Sequence, residues 1–172
     1  MYISQLVTLA SAFLLSSDGS TESGQSSQHV AAVLALFGEP DSTFLAAAHA
    51  EGAQIYECRR GTGGDLSWTF REPVATLQRG GKTVGIHSRG PRWAFEGGEV
   101  LHAKPITSLP PIASSDIPWL LLKVSGHEGE GPLRSARLIL RVATQGGALT
   151  GSCLQEAKLR SVSYSADYIF VE

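Results

Sequence analysis

Apolar and polar residues alternate with a period of two along most of the chain beyond residue 52. The last segment, 162–172, shows the pattern clearly, because every second residue is aromatic or small and apolar: Tyr164, Ala166, Tyr168 and Phe170. The residues between them include Ser165 and Asp167. A period of two places successive side chains on opposite faces of a strand, so the pattern predicts half-buried β-strands.

Similar segments follow one another, separated by turns that contain glycine or proline. They are 53–60, 66–78, 83–90, 90–105, 117–126, 133–145 and 162–172. The segment 90–105 holds two strands joined at Gly97–Gly98, which brings the total to about eight. Short strands with frequent glycine turns are typical of an antiparallel β-sandwich or barrel, and we predict an all-β fold of that kind. Pro73 predicts a break or an edge within 66–78.

Two segments near the start of this region are ambiguous. Residues 29–37 could form one short helix that ends at Gly38, or a strand. Residues 41–52 could form a helix capped by Asp41 or Ser42, but the residues that follow continue as a strand. We therefore expect a strand over 41–52 and allow one short N-terminal helix.

The first 28 residues differ from the rest of the chain. An apolar stretch runs into a linker rich in Ser, Gly and Gln, as in an export signal, although the usual positive residues are missing. The alternatives are a misplaced start codon or an amphipathic segment. The stretch is too short and too rich in Ser and Thr for a membrane span. We expect a signal segment and a disordered linker over 1–28, then a single β-domain over 29–172, in a protein that is secreted, periplasmic or attached to the cell envelope.

Composition narrows the classes of partner. A chain of 172 residues with 42% hydrophobic residues can bury one substantial core. The formal net charge is −2, and the basic residues form no stripe of the kind that binds nucleic acid. No glycine-rich loop completes a nucleotide or dinucleotide motif, so we expect no nucleic-acid partner and no cofactor.

The two cysteines, Cys58 and Cys153, lie 95 positions apart. A disulfide is the natural interpretation if the protein is exported, and two buried thiols are the alternative. Their spacing contains no C-x-x-C zinc or redox motif.

Four residues could carry chemistry. His87 and Trp93 belong to the stretch "GIHSRGPRWAFEGG", residues 85–98, where glycines would let a ligand approach the backbone. Trp93 could equally fill the core, and His87 could be a hydrogen-bonded structural residue. Arg141 lies among apolar residues on a strand, so it needs a partner, and Asp167 could be that partner. The pair would be a structural ion pair or a clamp for a substrate carboxylate; His87 and Asp167 are the acid–base candidates.

No metal site is predicted. Counting outward from the turn at Gly97–Gly98 places His102 opposite Arg92 to Trp93 rather than beside His87. The two histidines that lie on consecutive strands are therefore not co-ligands.

In the order of its motifs the sequence resembles a family of bacterial and fungal proteins, domain-of-unknown-function family 3455. The matching motifs are Gly52 through Cys58, His87 through Trp93 and Tyr164 through Tyr168, and the resemblance covers about residues 40–172. The sequence departs from the family after Trp93, where it has Glu96-Gly97-Gly98 in place of Asp-Gly-Ser. The resemblance implies export, an all-β fold and a Cys58–Cys153 bridge, but no mechanism.

The leading hypothesis is an exported β-domain that binds a small molecule or a surface partner without catalysis. The alternative is an enzyme, isomerase-like, cyclase-like or hydrolytic, with a pocket made by His87, Trp93, Arg141 and Asp167. A pocket with a carboxylate within reach of His87 would favour the enzyme, and a filled interior would favour an interaction module.

Overall fold

The computed structural model describes residues 22–172, which contain one helix and eight strands. These elements are α1 Glu22–Leu36, β1 Phe44–Arg60, β2 Leu66–Arg79, β3 Lys82–Ser88, β4 Arg92–Phe95, β5 Val100–Leu109, β6 Trp119–Glu128, β7 Leu138–Gly146 and β8 Leu159–Val171. The predicted all-β fold of about eight strands is confirmed, and residues 44–52 belong to β1 as expected. Residues 29–36 are helical.

The strands form a closed antiparallel barrel in which every strand pairs with its neighbours in sequence. The pairing of β1 with β8 closes the ring, and Gly52 on β1 lies opposite Tyr164 on β8 and opposite Ala75 on β2. Of the two predicted architectures, the barrel is therefore the one that forms. A Cβ atom at Gly52 would overlap the backbone of β2, so glycine permits the close approach of the strands at this point.

The barrel interior holds the main core. Alternate residues of each strand point inward, and the largest of them include Leu77, Trp93, Leu101, Ile139 and Phe170. The inner positions of β1 are small, with Ala48 and Ala50 both buried, which leaves room for the aromatic side chains opposite.

Pro73 does not break β2, so the expected break is wrong, but the strand is a local edge at this residue, as the alternative expectation had it. The residue lies opposite Gln54 of β1, beside a register shift at Ile55 and Tyr56. On its other side the pairing of β2 with β3 begins only at Ala75, so the missing N–H of Pro73 costs no ladder hydrogen bond.

Helix α1 packs against the outside of the barrel. Its residues Val30 and Leu34, with Phe37 just beyond its end, contact apolar side chains from β6, β7 and β8: Trp119, Leu121, Leu140, Val142, Ile169 and Val171. These strands are therefore buried on both faces, which explains the continuous apolar run at the end of β8.

The helix begins at Glu22, within the segment expected to be a linker. The remainder of that segment and the expected export signal lie outside the described residues. The helix is not long and apolar enough to span a membrane.

Cys58 and Cys153 form a disulfide with a Cα–Cα distance of 5.9 Å, which confirms the expected bridge. Cys58 lies near the end of β1, and Cys153 lies in the loop between β7 and β8. The backbone of the same loop exchanges hydrogen bonds with Cys58, through Ala157 and Lys158. The bridge therefore holds this long loop against the barrel.

Candidate functional site

A cavity of about 460 Å³ opens at the end of the barrel where β3 joins β4 and β5 joins β6. We call it the mouth cavity, and the residues that line it include Tyr56, His87, Trp93, Pro118, Arg141 and Tyr168. Small-molecule sites usually occupy about 300–1,000 Å³, so the volume is appropriate for one. Three of the four residues singled out in the sequence thus lie around one space.

His87 is held in one position and one tautomer. Only 4% of the residue is exposed, and its Nδ1 atom donates a hydrogen bond to the carbonyl oxygen of Arg92 at 3.0 Å. Since a carbonyl can only accept, the proton lies on Nδ1 and the lone pair on Nε2. The ring stacks on Trp93 with centroids 4.5 Å apart and meets Tyr168 at 4.9 Å. Loss of hydration on burial, opposed by the bond to Arg92 and aided by the charge of Arg141, lowers the pKa of His87 to about 3. His87 is therefore neutral at physiological pH.

Arg141 points into the barrel, where β7 pairs it with Tyr168 on one side and Leu120 on the other. Its Nε and Nη2 atoms donate to the carbonyl oxygen of Pro118 at 3.1 and 2.8 Å. No carboxylate of the described residues lies within ion-pair distance of the guanidinium, which also contacts the hydroxyl of Tyr168. The guanidinium therefore carries an uncompensated charge at the cavity wall.

The expected pair of Arg141 and Asp167 is wrong. The register places Val142, not Arg141, opposite Asp167, so the two side chains lie on opposite faces of the barrel wall. Asp167 instead accepts a hydrogen bond from Nδ1 of His49 at 2.7 Å. Burial raises the pKa of the Asp167 carboxyl, and the bond from His49 opposes that shift. Asp167 lines a second cavity of about 370 Å³ beneath α1, and the structure does not bring it to His87.

Sequence analysis did not identify the polar groups deep in the mouth cavity. Gln54 and Tyr168 line the space with exposures of only 2% and 1%, and Tyr164 is buried beside them. The amide nitrogen of Gln54 and both tyrosine hydroxyls lack a well-directed hydrogen bond to any described residue. Burial, above all, raises the pKa of both tyrosines, so their hydroxyls stay protonated. The alternation in β8 placed the tyrosines on one face; only the barrel register joins that face to Gln54.

The side chains that line the mouth cavity are neutral or positively charged. Its charged residues are Arg71 and Arg141, and it contains no Asp or Glu. Arg71 lies 3.0 Å from the carboxylate of the adjacent Glu72, which leaves Arg141 as the unpaired charge among the described lining residues. The described residues contain no cluster of three potential metal ligands. The arrangement can stack an apolar ring, donate hydrogen bonds and balance a negative charge.

Comparisons with known proteins identify the family but no characterised relative. Neither the comparison with curated proteins nor that with solved structures found a match. A family model described as a protein of unknown function (DUF3455) matches residues 39–172. The match includes all eight strands, both cysteines and every residue of the mouth cavity, whereas α1 precedes it. The chain therefore belongs to the DUF3455 family of proteins of unknown function.

Proposed function

We propose that the barrel binds a small, largely apolar molecule in the mouth cavity and does not transform it. The observation that carries this proposal is an open cavity of about 460 Å³ with the apolar side chains of Phe70 and Leu120 in its wall and Arg141 beside them. An apolar wall with a few converging polar groups is typical of sites that bind small molecules.

Two features favour binding over catalysis. A general acid or base works best with a pKa near the working pH, whereas burial lowers the pKa of His87 to about 3. The described lining also offers His87 no carboxylate that could orient it or raise its basicity, because Asp167 lies on the outer face. A neutral, stacked imidazole with one nitrogen already bonded is better suited to accepting a hydrogen bond from a ligand.

We also propose that the protein acts outside the cytoplasm. Disulfides persist in oxidising compartments such as the periplasm and the extracellular space, and Cys58–Cys153 is one. The expected export signal over the first residues agrees with this compartment, and mass spectrometry of the protein from its own cell tests it. A mature chain that starts after residue 16 and retains the disulfide supports export; a full-length, reduced chain contradicts it.

The binding proposal can be tested with N-phenyl-1-naphthylamine, a neutral dye that fluoresces strongly when water is excluded. We expect saturable binding by the wild type and at least a tenfold loss in Leu120→Trp, which places a larger ring at the half-buried cavity wall. The matched control is Val74→Trp, since Val74 is 56% exposed and lies on the outer face of β2. Binding that is absent from the wild type, or equal in the two variants, would contradict the proposal.

A further inference from the structure

The mouth cavity contains a cation that nothing neutralises. Arg141 lies on the inner face of β7, and its two hydrogen bonds go to a neutral carbonyl, that of Pro118. Five N–H groups of an arginine can donate, so the contacts with Pro118 leave most of them available. Arg141 is partly exposed at the open end of the barrel, and the described lining supplies no anion for it.

The groups around the guanidinium are hydrogen-bond donors. Tyr168 lies directly opposite Arg141 on the neighbouring strand, and its buried hydroxyl contacts the guanidinium and the hydroxyl of Tyr164. The unpartnered atom of Gln54 is its amide nitrogen, which can only donate. The charge of Arg141 also acts on His87 and on the three tyrosines of this region, so the guanidinium lies within electrostatic range of all four. Converging donors around one cation form a site for oxyanions.

Two arginines flank the loop at the entrance in sequence. Gly90 and Pro91 line the cavity, and they are flanked in sequence by Arg89 and Arg92. Neither arginine forms an ion pair with a described residue.

We propose that the ligand of the mouth cavity is an amphipathic organic anion, such as an aromatic or aliphatic carboxylate or sulfonate. Its charged head binds Arg141, and its apolar body lies against the accessible side chains of Phe70 and Leu120. This inference rests on the proposed binding function and specifies its ligand class. Arg141 supplies charge-assisted hydrogen bonds, while the aromatic wall supplies apolar contact.

Two dyes with the same hydrocarbon separate the charge from the apolar body. 8-Anilinonaphthalene-1-sulfonate is N-phenyl-1-naphthylamine with one added sulfonate. We expect the wild type to bind the sulfonate about ten- to a hundredfold more tightly than the neutral dye, because a hydrogen bond to a charged group contributes about 1.5–3 kcal/mol and each 1.4 kcal/mol is tenfold. In Arg141→Met that preference should disappear while the neutral dye still binds, which also shows that the variant keeps its cavity.

Arg134→Met is the matched control, since Arg134 is exposed at the far end of the barrel and its partner there is Glu130. It should keep the full preference for the sulfonate. The wild-type ratio of the two dissociation constants needs no variant, so it decides the question even if Arg141→Met does not fold.

The outcomes separate the two proposals. Neutral-dye binding that Leu120→Trp abolishes, with no preference for the sulfonate, overturns the anion inference and leaves the binding function standing. A preference that survives Arg141→Met, or that Arg134→Met removes equally, overturns the assignment to Arg141. Failure of both dyes to bind overturns the binding function and the inference with it.

Discussion

Replacing His87 with asparagine should make the stability of the barrel less sensitive to acid than that of the wild type. The unfolded chain takes up a proton on this side chain near pH 6.5, whereas the folded chain resists protonation until about pH 3. Between these values the unfolded state binds more protons. Folding stability is therefore complete above pH 6.5 and falls as the pH is lowered towards 3.

The size of the effect follows from the same two pKa values. Each pH unit between them costs the folded state about 1.4 kcal/mol, so the wild type should lose about 3 kcal/mol between pH 7 and pH 4 through His87 alone. Asparagine keeps a donor for the Arg92 carbonyl but loses the stacking on Trp93. That loss should cost about 1–3 kcal/mol at pH 7, in the usual range for a buried substitution.

The measurement is denaturant unfolding at several pH values between 4 and 7.5, with the disulfide intact and tryptophan fluorescence as the signal. The free energy of unfolding of the two proteins should differ most at pH 7 and converge or cross near pH 4. His102→Asn is the control, because it removes a half-exposed imidazole whose Nε2 lies 2.9 Å from Glu128 on the outer surface. Curves for the wild type and His87→Asn that stay parallel down to pH 4 would refute the argument that His87 is buried as a neutral base.

Substitutions at three further places test how the barrel is held together, each by denaturant unfolding. Gly52→Ala should cost about 3 kcal/mol, because its methyl group would overlap the backbone of β2; a cost below 1 kcal/mol would show that the strands can separate easily. Replacing Cys58 and Cys153 with alanine together should cost about 4–5 kcal/mol, since the bridge closes a long loop, and an unchanged midpoint would contradict that account. Glu99→Ala should cost about 1.5–3 kcal/mol, because the buried carboxylate accepts the backbone N–H of Leu133 at 2.9 Å. Glu99→Gln should recover most of that loss, and equal losses in the two variants would argue against the hydrogen bond.

Local sequence patterns were sufficient to predict strand pairing wherever the two strands are joined by a short turn. The turn at Gly97–Gly98 determines the pairing of the strands on either side, so the position of His102 opposite Arg92 follows by counting. The same logic makes Arg79 and Lys82 partners across the turn between β2 and β3. In such hairpins the length of the turn determines the register, and the sequence contains the whole interaction.

The predicted pairing of Arg141 with Asp167 was wrong because the two residues lie on strands whose register no short turn determines. Alternation indicates which residues of one strand share a face, but not which face is inside. On β8 both faces are apolar, since Ile169 and Val171 are covered by α1 while Phe170 fills the barrel. Composition therefore could not distinguish the two faces of β8. Arg141 and Asp167 were predicted to face each other, whereas their side chains lie on opposite faces of the barrel wall.

The amino-acid sequence by itself determined the strands, their turns and the grouping of aromatic residues on alternate positions, because these depend on the period of the side chains and on the conformations that glycine permits. Only the tertiary structure decided that β1 pairs with β8, that Gln54 meets Tyr164 and Tyr168, and that Arg141 is left without an acid at the mouth of the barrel. Those features depend on the register between strands that are far apart in the chain. The closure of the whole ring sets that register, and no single segment contains it.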